Sequence, residues 1–342
     1  MPSVSNLAGK DRFVTLDALR GIAALCVVFH HAEQFYGHPG LFAHAYLAVD
    51  FFFMLSGFVI NGVYLARFGH ELSPARFMIL RVKRLWPTLA IGVGLGATLA
   101  VFQHHQPMGV LVDTVAGLSF IPILSGTLGL FLLDGVEWSL FFELIANYVH
   151  CIGLWRFSNP TLAALIAISF VILLVLSFGD GGIGFGDRGT TFATGFARVA
   201  LPYATGIGLQ RLWSSARFRL RVPALLPLLA LPISFGAATL AGSTINWLVE
   251  PLIVALLFPL IIWLGAGATL SPRLISLGSV GGALSYPLYA IHLPLIGFGD
   301  ALARMTTPLM GLILRLAALS TCLIGAWILA RFIDKAAIFK RV

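Results

Sequence analysis

An arginine and a histidine stand eleven positions apart in the first apolar segment of this sequence, at Arg20 and His31. If the segment is helical, a turn of about 100° per residue places both side chains on one face, about 16 Å apart along the axis. Asp17 lies on nearly the same face and can pair with Arg20, whereas His30 points about 100° away from His31. Ionisable side chains inside apolar segments cost free energy and commonly serve a function. This face is therefore the first candidate for chemistry.

Two carboxylates in later apolar segments are candidates to orient an imidazole. Asp50 opens the second apolar segment after a short loop, and Glu143 lies about two turns into the fourth. A carboxylate that accepts a hydrogen bond from one ring nitrogen raises the basicity of the other, as general-base catalysis requires. The same residue types also suit a proton relay. Residue chemistry alone therefore leaves both an enzyme and a transporter open.

A short basic run precedes the third apolar segment, where Arg81, Lys83 and Arg84 are followed by Trp86 and Pro87. Such a run can be a cytoplasmic anchor with an interfacial aromatic residue, because Lys and Arg favour the cytoplasmic side of membranes. It can also be a clamp for phosphates, because guanidinium groups form paired hydrogen bonds to anionic oxygens. We expect the third membrane span to begin at about residue 87.

The high proportion of apolar residues indicates a membrane protein. Of 342 residues, 58% are hydrophobic and 11% are charged, and the mean hydropathy is +0.94, whereas soluble domains are about half apolar and about a quarter charged. Apolar runs of about 18–23 residues indicate membrane-spanning helices, so we predict an all-α polytopic helical bundle. The net charge of +8 is interpreted as membrane topology and not as nucleic-acid binding. The three cysteines show neither disulfide nor metal-ligand spacing.

Ten membrane spans are predicted, with the N- and C-termini in the cytoplasm. Their approximate ranges are 16–36, 46–66, 87–104, 137–156, 160–178, 192–212, 223–241, 247–266, 281–300 and 308–331. The apolar stretch 108–133 is not counted, because a crossing there would place the arginine cluster at 211–221 outside, against the positive-inside rule. Most Lys and Arg residues are then cytoplasmic; the exceptions are Arg188, Arg198, Arg304 and Arg315. We expect 108–133, interrupted by Pro122 and Gly126, to lie at the outer side beside a cavity.

Five motifs occur in a fixed order along the chain. They are LDALRGIAALCVVFHHA at 16–32, AVDFFFMLSGFVI at 48–60, RVKRLWP at 81–87, VEWSLFFEL at 136–144 and SYPLYAIHLPL at 285–295. Together they resemble the membrane acyltransferase-3 family, whose first span carries a basic residue, ten further residues and then a histidine. The resemblance selects Arg20 and His31, not His30, and matches Arg81 and Arg84 to an Arg-x-x-Arg motif. In the last two motifs it selects Trp138, Ser139, Glu143, Tyr286, Tyr289 and His292.

The resemblance implies one domain over 1–342, with its core at about 12–335, in the cell inner (cytoplasmic) membrane. Some members carry a C-terminal periplasmic hydrolase-like domain, which we do not expect here because the sequence ends soon after its last span. The implied reaction moves an acyl group, commonly acetyl, from cytoplasmic acyl-CoA to a hydroxyl. The implied acceptors are surface glycans, lipid-linked sugars or small glycosylated molecules. Neither a metal nor nucleic acid is expected.

The predicted site has three parts. His31 acts as general base or as a transient acyl carrier, and Glu143 or Asp50 orients it. The phosphates of the donor are assigned to Arg20, Arg81 and Arg84. The acceptor side is assigned to Trp138, Ser139, Tyr286 and His292. The leading alternative is a proton-coupled transporter or flippase that uses the same histidine and carboxylates, and a non-catalytic scaffold or sensor is the second; neither of these needs to bind acyl-CoA.

Overall fold

The computed structural model describes residues 13–37, 40–216, 219–268 and 270–335. Within these ranges the chain is helical, with no β-strand beyond two isolated bridges. The predicted all-α class is therefore confirmed. Five basic residues that were predicted to be cytoplasmic lie outside the described ranges: Lys10, Arg12, Arg217, Lys340 and Arg341.

Twelve α-helices are present in these described ranges. They are α1 (Val14–Tyr36), α2 (Ala48–Tyr64), α3 (Pro74–Phe102), α4 (Pro107–Leu118), α5 (Glu137–Ile152), α6 (Asn159–Asp180), α7 (Phe192–Ser215), α8 (Leu225–Ala241), α9 (Asn246–Leu252), α10 (Phe258–Gly267), α11 (Pro272–Ala303) and α12 (Pro308–Lys335). A 3-10 turn at Ala45–Leu47 leads into α2, and a π-helical turn at Ile253–Leu257 joins α9 to α10.

Several helices begin and end where the sequence supplies caps. The Ser73 hydroxyl accepts a hydrogen bond from the Arg76 amide at 3.3 Å before α3, and Ser158 accepts one from Thr161 at 3.3 Å before α6. Serine at this position satisfies an amide that has no partner within the helix. Gly37 follows α1 with φ 72°, the left-handed conformation that glycine adopts at low cost.

The third helix begins earlier than the sequence predicted. It starts at Pro74, 13 residues before the expected start of the third span at about residue 87. A serine cap and a proline in the first turn favour this earlier start, and Pro87 lies inside the helix without ending it. As a consequence, Arg81 and Arg84 lie within α3, three residues apart, where helical side chains are neighbours.

Each predicted span overlaps a helix, and the span 247–266 overlaps the continuous segment from α9 to α10. Seven helical segments of the described chain are long and apolar enough to cross a membrane: Val14–Tyr36, Ala45–Tyr64, Pro74–Phe102, Asn159–Asp180, Asn246–Gly267, Leu274–Ala303 and Pro308–Phe332. Helix α4 has 12 residues, or about 18 Å, which is shorter than the hydrocarbon core of about 30 Å. This length agrees with the prediction that 108–133 does not cross by itself. The number of crossings and the side of each terminus stay predictions.

Two helix pairs form the framework around the site, because α1 packs along α11 and α2 packs along α7. Glycines bring α2 and α7 close together. A methyl group on Gly57 would collide with the Tyr203 carbonyl, and one on Gly206 would collide with the Met54 carbonyl. Small residues at membrane helix interfaces allow this close backbone approach. Polar side chains on α2 and α7 are thereby brought within hydrogen-bonding distance of each other.

Candidate active site

A cavity lies between α1, α2, α3, α5 and α11, with about 770 Å³ of empty volume including its mouth. Its polar lining consists of Arg20, Ser56, Arg81, Arg84, Ser139, Glu143, Ser285, Tyr286 and Tyr289. The remaining lining side chains are apolar, among them Phe52 and Phe53. Residues that the sequence places far apart are therefore brought to one cavity in the bundle, and its lining in the described chain does not include His31 or His292.

The arginines form one end of this cavity. Arg20 and Arg84 have neither a hydrogen bond nor an ion pair with any residue in the described ranges. Arg81 Nη2 donates to Glu143 Oε1 at 2.7 Å, and Ser56 Oγ donates to the same oxygen at 2.8 Å. Three guanidinium groups thus lie near Glu143, and Asp17 is a second carboxylate near Arg20. The excess positive charge and the unused donors make this end suited to an anion.

Hydroxyl groups form one wall of the cavity. Ser139 Oγ donates to the Val136 carbonyl at 3.0 Å, so the Tyr289 hydroxyl donates to Ser139 at 2.7 Å. The Tyr286 hydroxyl donates to the Leu85 carbonyl of α3. Through these two tyrosines, α11 is joined to α5 and to α3, the helix that carries the arginine pair.

Two imidazole rings lie close together on α1 and α11. The ring centroids of His31 and His292 are 5.2 Å apart, and those of His292 and Tyr289 are 5.9 Å apart. His292 Nδ1 lies 2.7 Å from the Tyr289 carbonyl oxygen, so it carries the hydrogen. Its Nε2 is buried without a partner in the described chain. His31 Nδ1 lies 3.2 Å from Gln34 Oε1.

Comparison with known proteins assigns the chain to a family, because the acyltransferase-3 family model, described as an acyltransferase domain, matches residues 13–331. The chain belongs to the acyltransferase-3 family. It is similar to protein 2 of the picA locus of Rhizobium radiobacter, with 34% identity over 185 residues, 48% of this chain and 94% of that protein. It is also similar to the peptidoglycan O-acetyltransferase OatA of Listeria monocytogenes, with 28% identity over 110 residues, 31% of this chain and 17% of that protein. No solved structure matches it.

The family assignment confirms the resemblance that the five motifs indicated. Together with seven apolar helices in the described chain, it makes the protein a multi-pass membrane acyltransferase. The transporter and the scaffold, which the residue types alone left open, are not favoured by this assignment.

Asp50 of this acyltransferase pairs with Arg198 of α7, and within the described ranges it has no hydrogen bond to His31. Arg198 Nη2 lies 2.8 Å from Asp50 Oδ2, and Arg198 Nε donates to the two carboxylate oxygens at 3.1 and 3.2 Å. Both side chains are buried. The Trp138 ring packs over the guanidinium, 5.1 Å from Cζ. Trp138 therefore contacts this ion pair and does not line the cavity.

Substituting Asp50 with alanine is expected to lower the free energy of unfolding by about 3–5 kcal/mol, because Arg198 would be left buried without its counter-charge. Asp187 is the matched control, since its ion pair with Arg188 is exposed and such pairs contribute about 0–1 kcal/mol. Thermal or denaturant unfolding of the detergent-purified variants measures both changes. An Asp50→Ala variant as stable as Asp187→Ala would show that the buried pair does not support the fold.

Glu143 also has partners other than the predicted one. Its contacts in the described structure are Arg81 and Ser56, so the hydrogen bond to His31 that the sequence suggested is not formed. Glu143 instead sits among the arginines, where it neutralises one of the three positive charges. The partner that His31 does have is the neutral amide of Gln34.

Three polar residues of the site were given no role by the sequence reasoning. Ser56 and Tyr289 stand inside the second and fifth motifs, where they contact Glu143 and Ser139. Gln34 lies three positions after His31. Residues three apart on a helix are neighbours, and this spacing is the signal that could have identified Gln34.

Proposed function

We propose that this acyltransferase moves an acetyl group from cytoplasmic acetyl-CoA to a hydroxyl of a glycan, a lipid-linked sugar or a small glycosylated acceptor at the cell inner membrane. The observation that carries the proposal is the arrangement of charge along α1. The guanidinium groups of Arg20 on α1 and Arg84 on α3, which have no hydrogen-bond partner within the described ranges, mark one end. The His31 imidazole lies about 16 Å from Arg20 along the axis of α1. An anion-binding end separated from a base in this way matches an elongated, anionic acyl donor.

Acyl-CoA fits because its two ends differ as the two ends of the site do. Its phosphates carry several negative charges, and its thioester lies at the far end of the long pantetheine arm. Guanidinium groups bind phosphate through paired, charge-assisted hydrogen bonds, and Arg20 and Arg84 have donors available for them. An arm extended along α1 brings the thioester towards His31, and an enclosed path protects the thioester from water. The predicted topology puts Arg81 and Arg84 at the cytoplasmic side, where acyl-CoA is found.

His31 supplies the base in the proposed reaction. Its Nε2 accepts the proton of the acceptor hydroxyl while the hydroxyl oxygen attacks the carbonyl carbon of the thioester. A C–O ester bond forms and the C–S bond breaks, and the departing CoA thiolate takes the proton back from the imidazolium. CoA therefore leaves as the free thiol, and the imidazole returns to its neutral form.

A route through an acyl-His31 intermediate would use the same Nε2 atom as the nucleophile. Incubation with radioactive acetyl-CoA in the absence of acceptor distinguishes the two routes. Only the second leaves label on the protein, and that label should be lost in His31→Ala. Direct transfer leaves the protein unlabelled.

Two observations support acetyl as the acyl group and a glycan as the acceptor. The relative from Listeria monocytogenes is named a peptidoglycan O-acetyltransferase. The wall formed by Ser139 and Tyr289 presents hydroxyl groups, which both donate and accept hydrogen bonds as sugar hydroxyls do.

Binding of acetyl-CoA to the detergent-purified protein is the experiment that tests the donor. A ligand that binds only the folded state raises its stability, by about 2.7 kcal/mol at 100 times Kd. We expect a saturable rise in melting temperature with acetyl-CoA and with CoA, and a smaller one with acetyl-pantetheine, which lacks the phosphates. No rise with acyl-CoA of any chain length would contradict the donor assignment and return the transporter to consideration.

A further inference from the structure

We infer that Gln34 is a positioning residue for the proposed base, because its side-chain amide fixes which ring nitrogen of His31 carries the hydrogen. This inference rests on the proposed function. Gln34 Oε1 lies 3.2 Å from His31 Nδ1, and Gln34 Nε2 lies 3.1 Å from His30 Nε2. One amide therefore bridges two neighbouring imidazole rings near the end of α1.

The direction of this bridge follows from a backbone carbonyl. The Phe42 carbonyl oxygen lies 2.9 Å from His30 Nδ1. A carbonyl only accepts, so Nδ1 of a neutral His30 carries the hydrogen and its Nε2 can only accept. The part of Gln34 that faces this Nε2 must then be the NH2 group, which leaves Oε1 facing His31. Because an amide oxygen only accepts, His31 Nδ1 must donate.

These three hydrogen bonds give His31 the tautomer that the proposed reaction needs. With the hydrogen on Nδ1, the lone pair on Nε2 is free to take the proton of the acceptor hydroxyl. In the opposite tautomer Nε2 already carries a hydrogen and cannot act as the base. In the catalytic triad of serine proteases, a carboxylate selects the tautomer, and losing that selection costs about 10⁴-fold in kcat.

A neutral amide differs from a carboxylate in one respect that matters here. It selects the tautomer without adding a negative charge, so it favours the imidazolium less strongly than a carboxylate would. The other ring neighbours are His292 of α11, 5.2 Å from His31, and Tyr46 before α2, 5.8 Å from His30. His31 can therefore return its proton to the CoA thiolate after the C–S bond breaks.

The tautomer of His31 can be read by NMR of protein labelled with 15N-histidine, at a pH where the imidazoles are neutral. Protonated and unprotonated ring nitrogens differ strongly in chemical shift, and the signals lost in His31→Ala identify this ring. We expect the Nδ1–H form in the wild type and a mixture of both forms in Gln34→Ala. Gln106→Ala, which removes an exposed side chain with no hydrogen bond in the described structure, should leave the spectrum unchanged. The Nε2–H form in the wild type would overturn the inference.

The kinetic constants of Gln34→Ala test the positioning role independently of the NMR spectrum. In Gln34→Ala, kcat for CoA release from acetyl-CoA is expected to fall about 10- to 100-fold, as happens when a partner that orients a metal-ligating histidine is removed. The KM for acetyl-CoA should change little, because Gln34 lies away from the arginines. Gln34 is exposed, so the variant should fold, and an acetyl-CoA thermal shift verifies that it does. A wild-type kcat in Gln34→Ala, or a change confined to KM, would overturn the positioning role.

The Gln34→Glu variant separates positioning from a merely structural role. Its carboxylate still accepts from His31 Nδ1, so the Nδ1–H form should persist and kcat should exceed that of Gln34→Ala. Activity no higher than that of Gln34→Ala, with the Nδ1–H form intact, would overturn the inference. Complete absence of CoA release by the wild type would count against the proposed function instead, because the NMR comparison does not depend on turnover.

Discussion

Substituting His31 with alanine is expected to lower the rate of acyl transfer by about 10²- to 10⁴-fold, the contribution of a positioned general base. The binding of acetyl-CoA should persist, because the phosphates are held by the arginines at the other end of the site. The fold should also persist, since the side-chain hydrogen bond that His31 makes in the described structure goes to Gln34 alone. Release of the CoA thiol in membranes that contain the acceptor measures the rate. The thermal shift with acetyl-CoA measures binding.

His104 provides the control for this substitution. It is exposed in the turn after α3, and in the described structure no ring contact or side-chain hydrogen bond joins it to His31, so His104→Ala should transfer the acyl group at the wild-type rate. A His31→Ala protein that binds acetyl-CoA and still transfers at the wild-type rate would contradict the role of His31 as the base. In that case the neighbouring imidazole of His292, whose Nε2 is also unpartnered in the described chain, would become the next base to test.

The helices were predictable from the sequence because lipid leaves the backbone no other way to satisfy its polar groups. The arginine end of the site was predictable for a related reason. Arg81 and Arg84 are three residues apart and therefore neighbours on any helix that contains them. The start of α3 before its predicted span does not change this, because the spacing is the same wherever the helix begins. Both line the cavity with Arg20.

Pairings between helices were not predictable, because they depend on which helices pack together. Charge alone suggested that Asp50 and Glu143 orient His31. The glycine contacts between α2 and α7 bring Asp50 to Arg198 instead, and α3 carries Arg81 to Glu143. A carboxylate can pair favourably with either a histidine or an arginine. Which of the two it meets depends on how the helices pack. The unexpected consequence is that a neutral amide, and not a carboxylate, contacts the proposed base.

Arg84→Ala should weaken the binding of acetyl-CoA by about 10- to 100-fold. A hydrogen bond to a charged group contributes about 1.5–3 kcal/mol, which corresponds to this range. Arg84 lines the cavity and has no partner in the described part of the chain, so its removal takes donors from the phosphates without leaving a protein carboxylate unpaired. Calorimetric titration of the detergent-purified protein with acetyl-CoA measures the affinity. The loss should shrink at high salt, because screening weakens the interaction in the wild type.

Lys83 is the matched control, since it has the same charge and lies next to Arg84 on α3. It is exposed and outside the cavity lining, so Lys83→Ala should bind acetyl-CoA as the wild type does. Arg81→Ala should lower both affinity and stability, because Glu143 would lose its ion-pair partner. Equal losses of affinity in Lys83→Ala and Arg84→Ala would mean that acetyl-CoA is attracted by the overall positive charge of this surface and not by a specific contact with Arg84. A loss confined to Arg84→Ala and Arg20→Ala would locate the phosphates between α1 and α3, at the end of the cavity where the guanidinium groups lie.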